Sequence, residues 1–444
     1  MADSGYEPGD HRQHLKHPTN YMETLIHFYK ACIGTGIMAM PYAFKEVGWA
    51  SGLAITIVIG SLCVYMTNRL AISSRRMCIL EQKPTMSYVN TANACLKYGP
   101  ELTKNFKYFG STANMFLILY QFGCSCIYVV FVSGNLKHVW DYCYPETNPD
   151  IRLFMLIVMI PQCIVGLVDN YKHLSYFSLL ADICTISGFV LMFACYLLVD
   201  TKSLSEISPS NNGVYRFPMF VATVFFSMEA VAIILALENE MKTPKHYTGY
   251  FGIVNMAMIP AVVLYTAFGF CGYLKYGEDV KSSATFNLPV GDRIAQVILF
   301  SMSFAIFVTY HLSVFVTYDL IWKTYLGGPD ESKNTETHVE INFFRHYMIR
   351  LAIILGTNLC AMGIPNLSLF IVLLGALTLS VTGFAFIVMM WVCIYWNQYS
   401  GVKFAIFIAY NAFLLFLAGC VAVFGLGQAI YDIAIFYDGE ETFD

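Results

Sequence analysis

The chain is a succession of apolar runs, each long enough to cross a bilayer, joined by shorter polar connectors. Crossing about 30 Å of hydrocarbon takes roughly 20 apolar residues, and eleven runs qualify: 24–44, 50–72, 109–135, 151–168, 174–199, 217–237, 250–274, 294–321, 344–363, 366–396 and 403–430. In hydrocarbon every backbone N–H and C=O must be paired inside its own element, so such runs fold as helices. Pro365 marks a tight turn between the ninth and tenth runs, which separates them into two spans. The sequence therefore predicts an all-α integral membrane protein with 11 transmembrane helices. These form one domain at 23–430, with an amino-terminal tail at 1–22 and an acidic carboxyl tail at 431–444.

Composition narrows the function classes. Of 444 residues 57% are hydrophobic and only 13% charged, about half the charge of an ordinary soluble domain. A net charge of -4 with no long basic run argues against nucleic acid as a partner and leaves the lipid bilayer as the surrounding medium. The 14 cysteines fall mostly inside apolar runs without paired spacing, which reads as packing rather than a metal site or a disulfide scaffold. The tail carries His11, Arg12, His14, Lys16 and His17 but nothing like a signal peptide, so a solvated, partly disordered segment is expected there rather than a metal site. Basic residues gather between the second and third runs, at Arg69, Arg75, Arg76, Lys83, Lys97, Lys104 and Lys107. By the positive-inside rule this places the amino terminus in the cytosol, and an amphipathic helix is expected in that connection. Asp432, Asp438, Glu440, Glu441 and Asp444 then lie outside or in an organelle lumen.

Two runs are interrupted in the middle. Gly34-Thr35-Gly36 divides the first, and Phe226-Ser227-Met228-Glu229-Ala230 divides the sixth. Corresponding interruptions in two halves of five spans point to an inverted-repeat transporter whose site lies where the broken helices meet; the repeats fall at about 23–199 and 216–396, with an extra helix at 403–430. Free N–H groups at Gly34, Thr35 and Gly36 suit a carboxylate at the positive end of a half-helix. Freed carbonyls around Phe226, Ser227 and Met228 suit an ammonium. Together they describe a zwitterion, and the modest apolar space beside Phe226, Met228 and Ala230 favours a small neutral amino acid.

Two residues are candidates for binding a coupling proton. Glu229 is a carboxylate in mid-membrane, where burial favours its neutral form. His27 shares a helix face with Lys30 and Gly34 at i, i+3 and i+7, and imidazole titrates in the physiological range. Lys30 is expected to reach toward cavity water or Glu229, and Asp182 to play a hydrated structural role near the inner end. His311 and Asp319 are further polar intruders in the eighth run. No cofactor is expected beyond the proton.

The run Thr24-Leu-Ile-His27-Phe-Tyr-Lys30-Ala-Cys-Ile-Gly34-Thr-Gly36, followed by Met40-Pro41 and Gly48, resembles the first helix of the proton-coupled amino acid transporters of solute carrier family 36. Similar matches occur at Tyr120-Gln121-Phe-Gly123, Leu174-Ser-Tyr-Phe-Ser-Leu-Leu-Ala181, Phe226-Ser-Met-Glu229 through Met241, and Gly272-Tyr-Leu-Lys-Tyr-Gly277 with Asn287-Leu-Pro289. The resemblance implies the amino acid/auxin permease group: a LeuT-like 5+5 inverted repeat plus one helix, symporting protons with small neutral amino acids, and no enzyme reaction. It assigns proton coupling to the first-helix histidine, here His27, and places the family's sixth-helix glutamate at Glu229. Members occur at the plasma membrane or on lysosomal and endosomal membranes. The alternative the resemblance permits is an amino acid sensor that signals to growth control through a cytosolic partner and transports little. Ala31-Cys32, Ala230 and Ala236 depart from the family pattern. The resemblance implies a disulfide between the outer loops after the third and seventh helices; Cys143 would supply one end, but residues 285–293 contain no cysteine, so Cys143 is expected unbridged unless Cys271 reaches it.

Overall fold

The computed structural model describes residues 6–12, 18–32, 34–106, 108–167, 171–198, 201–211, 213–228, 231–325 and 343–438. Helices dominate. In chain order they are α1 (Tyr21–Cys32), α2 (Thr35–Val47), α3 (Trp49–Glu81), α4 (Tyr88–Tyr98), α5 (Glu101–Lys104), α6 (Phe109–Cys143), α7 (Ile151–Gly166) and α8 (Tyr171–Leu198). There follow α9 (Phe217–Ser227), α10 (Val231–Glu240), α11 (Ile253–Tyr276), α12 (Arg293–Tyr325), α13 (Phe343–Gly363), α14 (Leu367–Leu374), a π-helical segment (Gly375–Ala385), α15 (Phe386–Tyr395) and α16 (Gly401–Asp438). Among the described residues, 7 helical runs are long and apolar enough to cross a membrane. They are α3, α6, α8, α11, α12, the α14-to-α15 run and α16.

The first and sixth predicted spans are each split, as α1/α2 and α9/α10. The halves pack reciprocally: α1 lies on α10 and α2 on α9, while α3 meets α11, α6 meets α12 and α7 meets α13. The two breaks face one another where Gly36 meets Ser227. The helix expected between the second and third spans is α4, capped by Ser87, whose side chain accepts from the Asn90 N–H. Its buried face, including Thr91, Ala92 and Cys95, packs on α3, α6 and α15.

Chain packs against both ends of the broken pair. At the amino-terminal end the tail is not solvated as expected. Arg12 is only 4% exposed; its guanidinium donates to the carbonyls of Pro84, Glu238 and Met241 and pairs with the Glu238 carboxylate at 3.0 Å. Arg75 pairs with Glu7 at 2.8 Å, and Thr19 bridges to Met241. The tail is therefore fastened across the ends of α3 and α10. Of the tail histidines, His11 stacks on Tyr6, and His14 and His17 lie outside the described residues.

At the opposite end the segment after α8 lies on the end of α2. Trp49 and Ala50 donate their N–H groups to Ser208 and Pro209, and Asn211 donates to the Val47 carbonyl. Gly48 makes this possible: its φ is +85°, and a Cβ there would sit 2.6 Å from the Pro209 and Ser210 backbone, so only glycine fits. Helix α16 continues to Asp438, so Asp432 of the expected acidic tail is helical and buried, while residues 439–444 lie outside the described residues.

Candidate functional site

The first break begins where α1 ends at Cys32. Its carbonyl, freed by the loss of helix, accepts a hydrogen bond from the Tyr265 hydroxyl of α11. One side of the break is thus satisfied within the protein. The other side differs: Gly34 is the N-cap of α2, in extended conformation, and no side chain caps the helix. The first N–H groups of a helix have no intrahelical partner, so α2 presents donors and the positive end of its dipole. A Cβ on Gly34 would meet nothing within 4 Å, which places open space beside it.

Gly36 faces the second break. A Cβ there would lie 2.6 Å from the Ser227 Cα, so the two backbones approach as only glycine permits. The Ser227 hydroxyl donates to the Gly36 carbonyl at 2.9 Å. Ser227 is the last residue of α9 and Met228 its C-cap, so donors at the start of α2 and carbonyls at the end of α9 come together. Dipoles of opposite sense converge on one point, an arrangement suited to a group carrying both charges.

The predicted substrate residues therefore occupy one locus. Thr35, Phe226, Ser227 and Met228 are buried and Gly34 is partly open. Met228 and Val231 line a cavity of about 20 Å³ with Cys63, Met66, Thr67, Phe225, Leu379, Gly383 and Phe384. That volume accommodates about one water molecule, so this side of the break is closed. A larger cavity of about 560 Å³ lies between α3 and α11, but its lining is apolar apart from Ser61 and Thr266. It presents no charged group.

The proton candidates fare differently. Glu229, with Ala230, lies outside the described residues. His27 is exposed on α1, as is the neighbouring Ile26. Lys30, expected to reach toward cavity water or Glu229, forms an ion pair with Asp182 of α8, each side chain about a quarter exposed. Asp182 is accordingly one half of a link between α1 and α8. His311 is buried, with its ring nitrogens 2.9 Å from the Phe307 carbonyl and 3.3 Å from that of Gln162. Cys143 and Cys271 are free thiols.

Sequence reasoning missed Tyr265 and the π-helical segment. A tyrosine in an apolar helix gives no sign that its hydroxyl meets a broken neighbour. The π segment carries Thr378, Ser380 and Thr382, each hydrogen-bonded to the carbonyl four residues back.

Residues 17–431 match the family described as "Transmembrane amino acid transporter protein". The chain is 29% identical over 444 residues to the "Proton-coupled amino acid transporter-like protein pathetic" of Drosophila melanogaster, covering 100% of this chain and 91% of that protein. It is 23% identical over 388 residues to the "Amino acid transporter AVT3C" of Arabidopsis thaliana, covering 82% of this chain and 81% of that one. Among solved structures it resembles Mhp1, a nucleobase-cation-symport-1 family transporter. The closed conformation with bromovinylhydantoin bound matches with TM-score 0.50, 14% identity and coverage of 94% of this chain and 93% of that one. The inward facing conformation matches with TM-score 0.51, 14% identity and coverage of 95% and 93%. At that identity the likeness is one of fold, and the fold is that of LeuT-like transporters.

Proposed function

The chain belongs to the transmembrane amino acid transporter protein family, and from that premise we propose that it is a symporter carrying a small neutral amino acid together with a proton. The observation that carries the reading is the meeting of the uncapped α2 amino terminus with the α9 carboxyl terminus at Gly36 and Ser227. The substrate carboxylate takes the N–H groups of Gly34, Thr35 and Gly36. The ammonium takes the carbonyls of Phe226, Ser227 and Met228. Those two groups belong to every amino acid; the small, apolar surroundings select by size.

In this reading there are eleven spans: α1/α2, α3, α6, α7, α8, α9/α10, α11, α12, α13, the α14-to-α15 run and α16. The first ten form two inverted repeats that rock against each other. The amino terminus is cytosolic, so the Arg12 clasp closes the inner side and the segment on Gly48 closes the outer. His27 or Glu229 takes the proton, at the plasma membrane or on a lysosomal or endosomal membrane, where the gradient drives amino acid into the cytosol. Relatives named as transporters, one of them proton-coupled, support this reading.

The test is uptake of labelled alanine, glycine and proline with simultaneous current, at about pH 5.5 and about pH 7.5, in wild type and in His27→Ala and Glu229→Gln. Acid-stimulated inward current that one substitution removes supports symport and assigns the proton site. A second reading, an amino acid sensor, is favoured by one feature: Arg12 of the tail is buried against Glu238, so its release on opening of the inner side would report the transport state to a cytosolic partner. Binding without accumulation would put that reading first.

A further inference from the structure

The outer ends of the two broken spans are joined by a buried charge cluster that the transport reading does not use. Glu46 stands at the end of α2, Arg216 just before α9, and Asp432 on α16, exposed by 7%, 9% and 1%. Two carboxylates share one guanidinium, and they share it unequally. Arg216 Nη1 donates to Asp432 at 2.9 Å, and the other oxygen of Asp432 accepts from Gln428 at 2.9 Å. Glu46 lies 3.4 Å from Arg216 Nε, which makes no hydrogen bond. Asp432 thus holds the guanidinium more closely than Glu46, whose other neighbour is the Tyr42 hydroxyl.

We propose that Glu46 is a proton-binding site on the outer face of the transporter, and that its protonation favours closure of α2 onto α9 over a bound amino acid. The inference rests on the symport reading for its sidedness and its substrate. The groups facing Glu46 are Lys45 and Tyr42 on its own helix, Arg216 with Tyr215 before α9, and Asp432 on α16. Tyr273 and Glu278 approach from α11 and its end, holding Asn211 on the Lys45 carbonyl. Glu46 is buried beside a second carboxylate, Asp432, that competes with it for the same guanidinium.

The sign follows from linkage. The carboxyl binds a proton more tightly in the closed arrangement than when hydrated in an open one, so acid outside favours closure. That advantage is full below the hydrated pKa and is lost as pH rises through the buried one. The proton need not cross the membrane: it lowers the cost of occlusion from the side where it is abundant. Asp432 keeps Arg216 in place while Glu46 changes charge.

The test compares wild type, Glu46→Gln and Asp432→Asn by the pH dependence of amino acid uptake and by hydrogen exchange of the Thr35–Val47 peptide, corrected for the intrinsic exchange rate. Glu46→Gln, a permanent mimic of the protonated acid, is expected to raise uptake at neutral pH toward its acid value and to make the protection of α2 independent of pH. Asp432→Asn leaves Arg216 to Glu46 alone, stabilises its anion, and is expected to move both midpoints to more acidic pH. A Glu46→Gln protein with the wild-type midpoint and pH-dependent protection overturns the proposal. If Glu46→Gln does not reach the membrane, the Asp432→Asn midpoint decides: an acidic shift supports the proposal and an unmoved midpoint overturns it. If wild-type uptake is insensitive to pH the symport reading falls, while exchange at α2 still judges Glu46 by the same two outcomes.

Discussion

The hydroxyl of Ser227 donates to the carbonyl of Gly36 at 2.9 Å, joining two helix breaks that lie 191 residues apart. Gly36→Ala would drive a Cβ to 2.6 Å from the Ser227 Cα, against backbone that cannot rotate away. Transport is expected to be lost while protein at the membrane stays near the wild-type amount. Ser227→Ala removes one buried hydrogen bond of about 1 kcal/mol, so uptake is expected to fall several-fold. An alanine at 36 that transports normally would show that the breaks need not approach so closely.

Lys30 and Asp182 tie α1 to α8. Neutralising either alone leaves a charge of the opposite sign in an apolar setting, which is worse than removing both. Lys30→Ala and Asp182→Ala are each expected to lower thermal stability in detergent, with the double variant closer to wild type than either. Additive losses in the double variant would mean that the two side chains act independently.

Arg12→Ala would leave the Glu238 carboxylate buried without its partner and would release three backbone carbonyls. The tail is expected to detach and the inner side to open. Cys78 reports on this: it is a buried free thiol beside Arg12 and Glu238. Its modification by a permeant maleimide, followed by mass spectrometry, is expected to rise in the variant. Labelling that stays at the wild-type level would argue that the inner closure does not depend on the tail.

The features legible in the sequence were those in which residue type contradicted its surroundings. Two glycines inside an apolar run disclosed the first break, and a glutamate inside another disclosed the second, because each is unfavourable there without a purpose. What stayed hidden was made by residues that are ordinary where they stand. Arg12 is one basic residue in a polar tail, and only the fold brings it to Glu238. Glu46 and Arg216 stand at helix ends and Asp432 in what reads as an acidic tail, where charge is unremarkable, and nothing in their spacing brings them together. The π segment is composed of the same apolar and small residues as an ordinary span, so its wider turn left no trace in hydropathy.

The most direct test of the account is accumulation of labelled amino acid by purified protein in sealed proteoliposomes, acid outside and neutral inside, with and without a protonophore. The account predicts uptake of alanine, glycine or proline above the external concentration, collapsed by the protonophore and absent in Gly36→Ala. Saturable binding to the wild type with no accumulation under any proton gradient would contradict it and make the protein a receptor for the amino acid rather than its carrier.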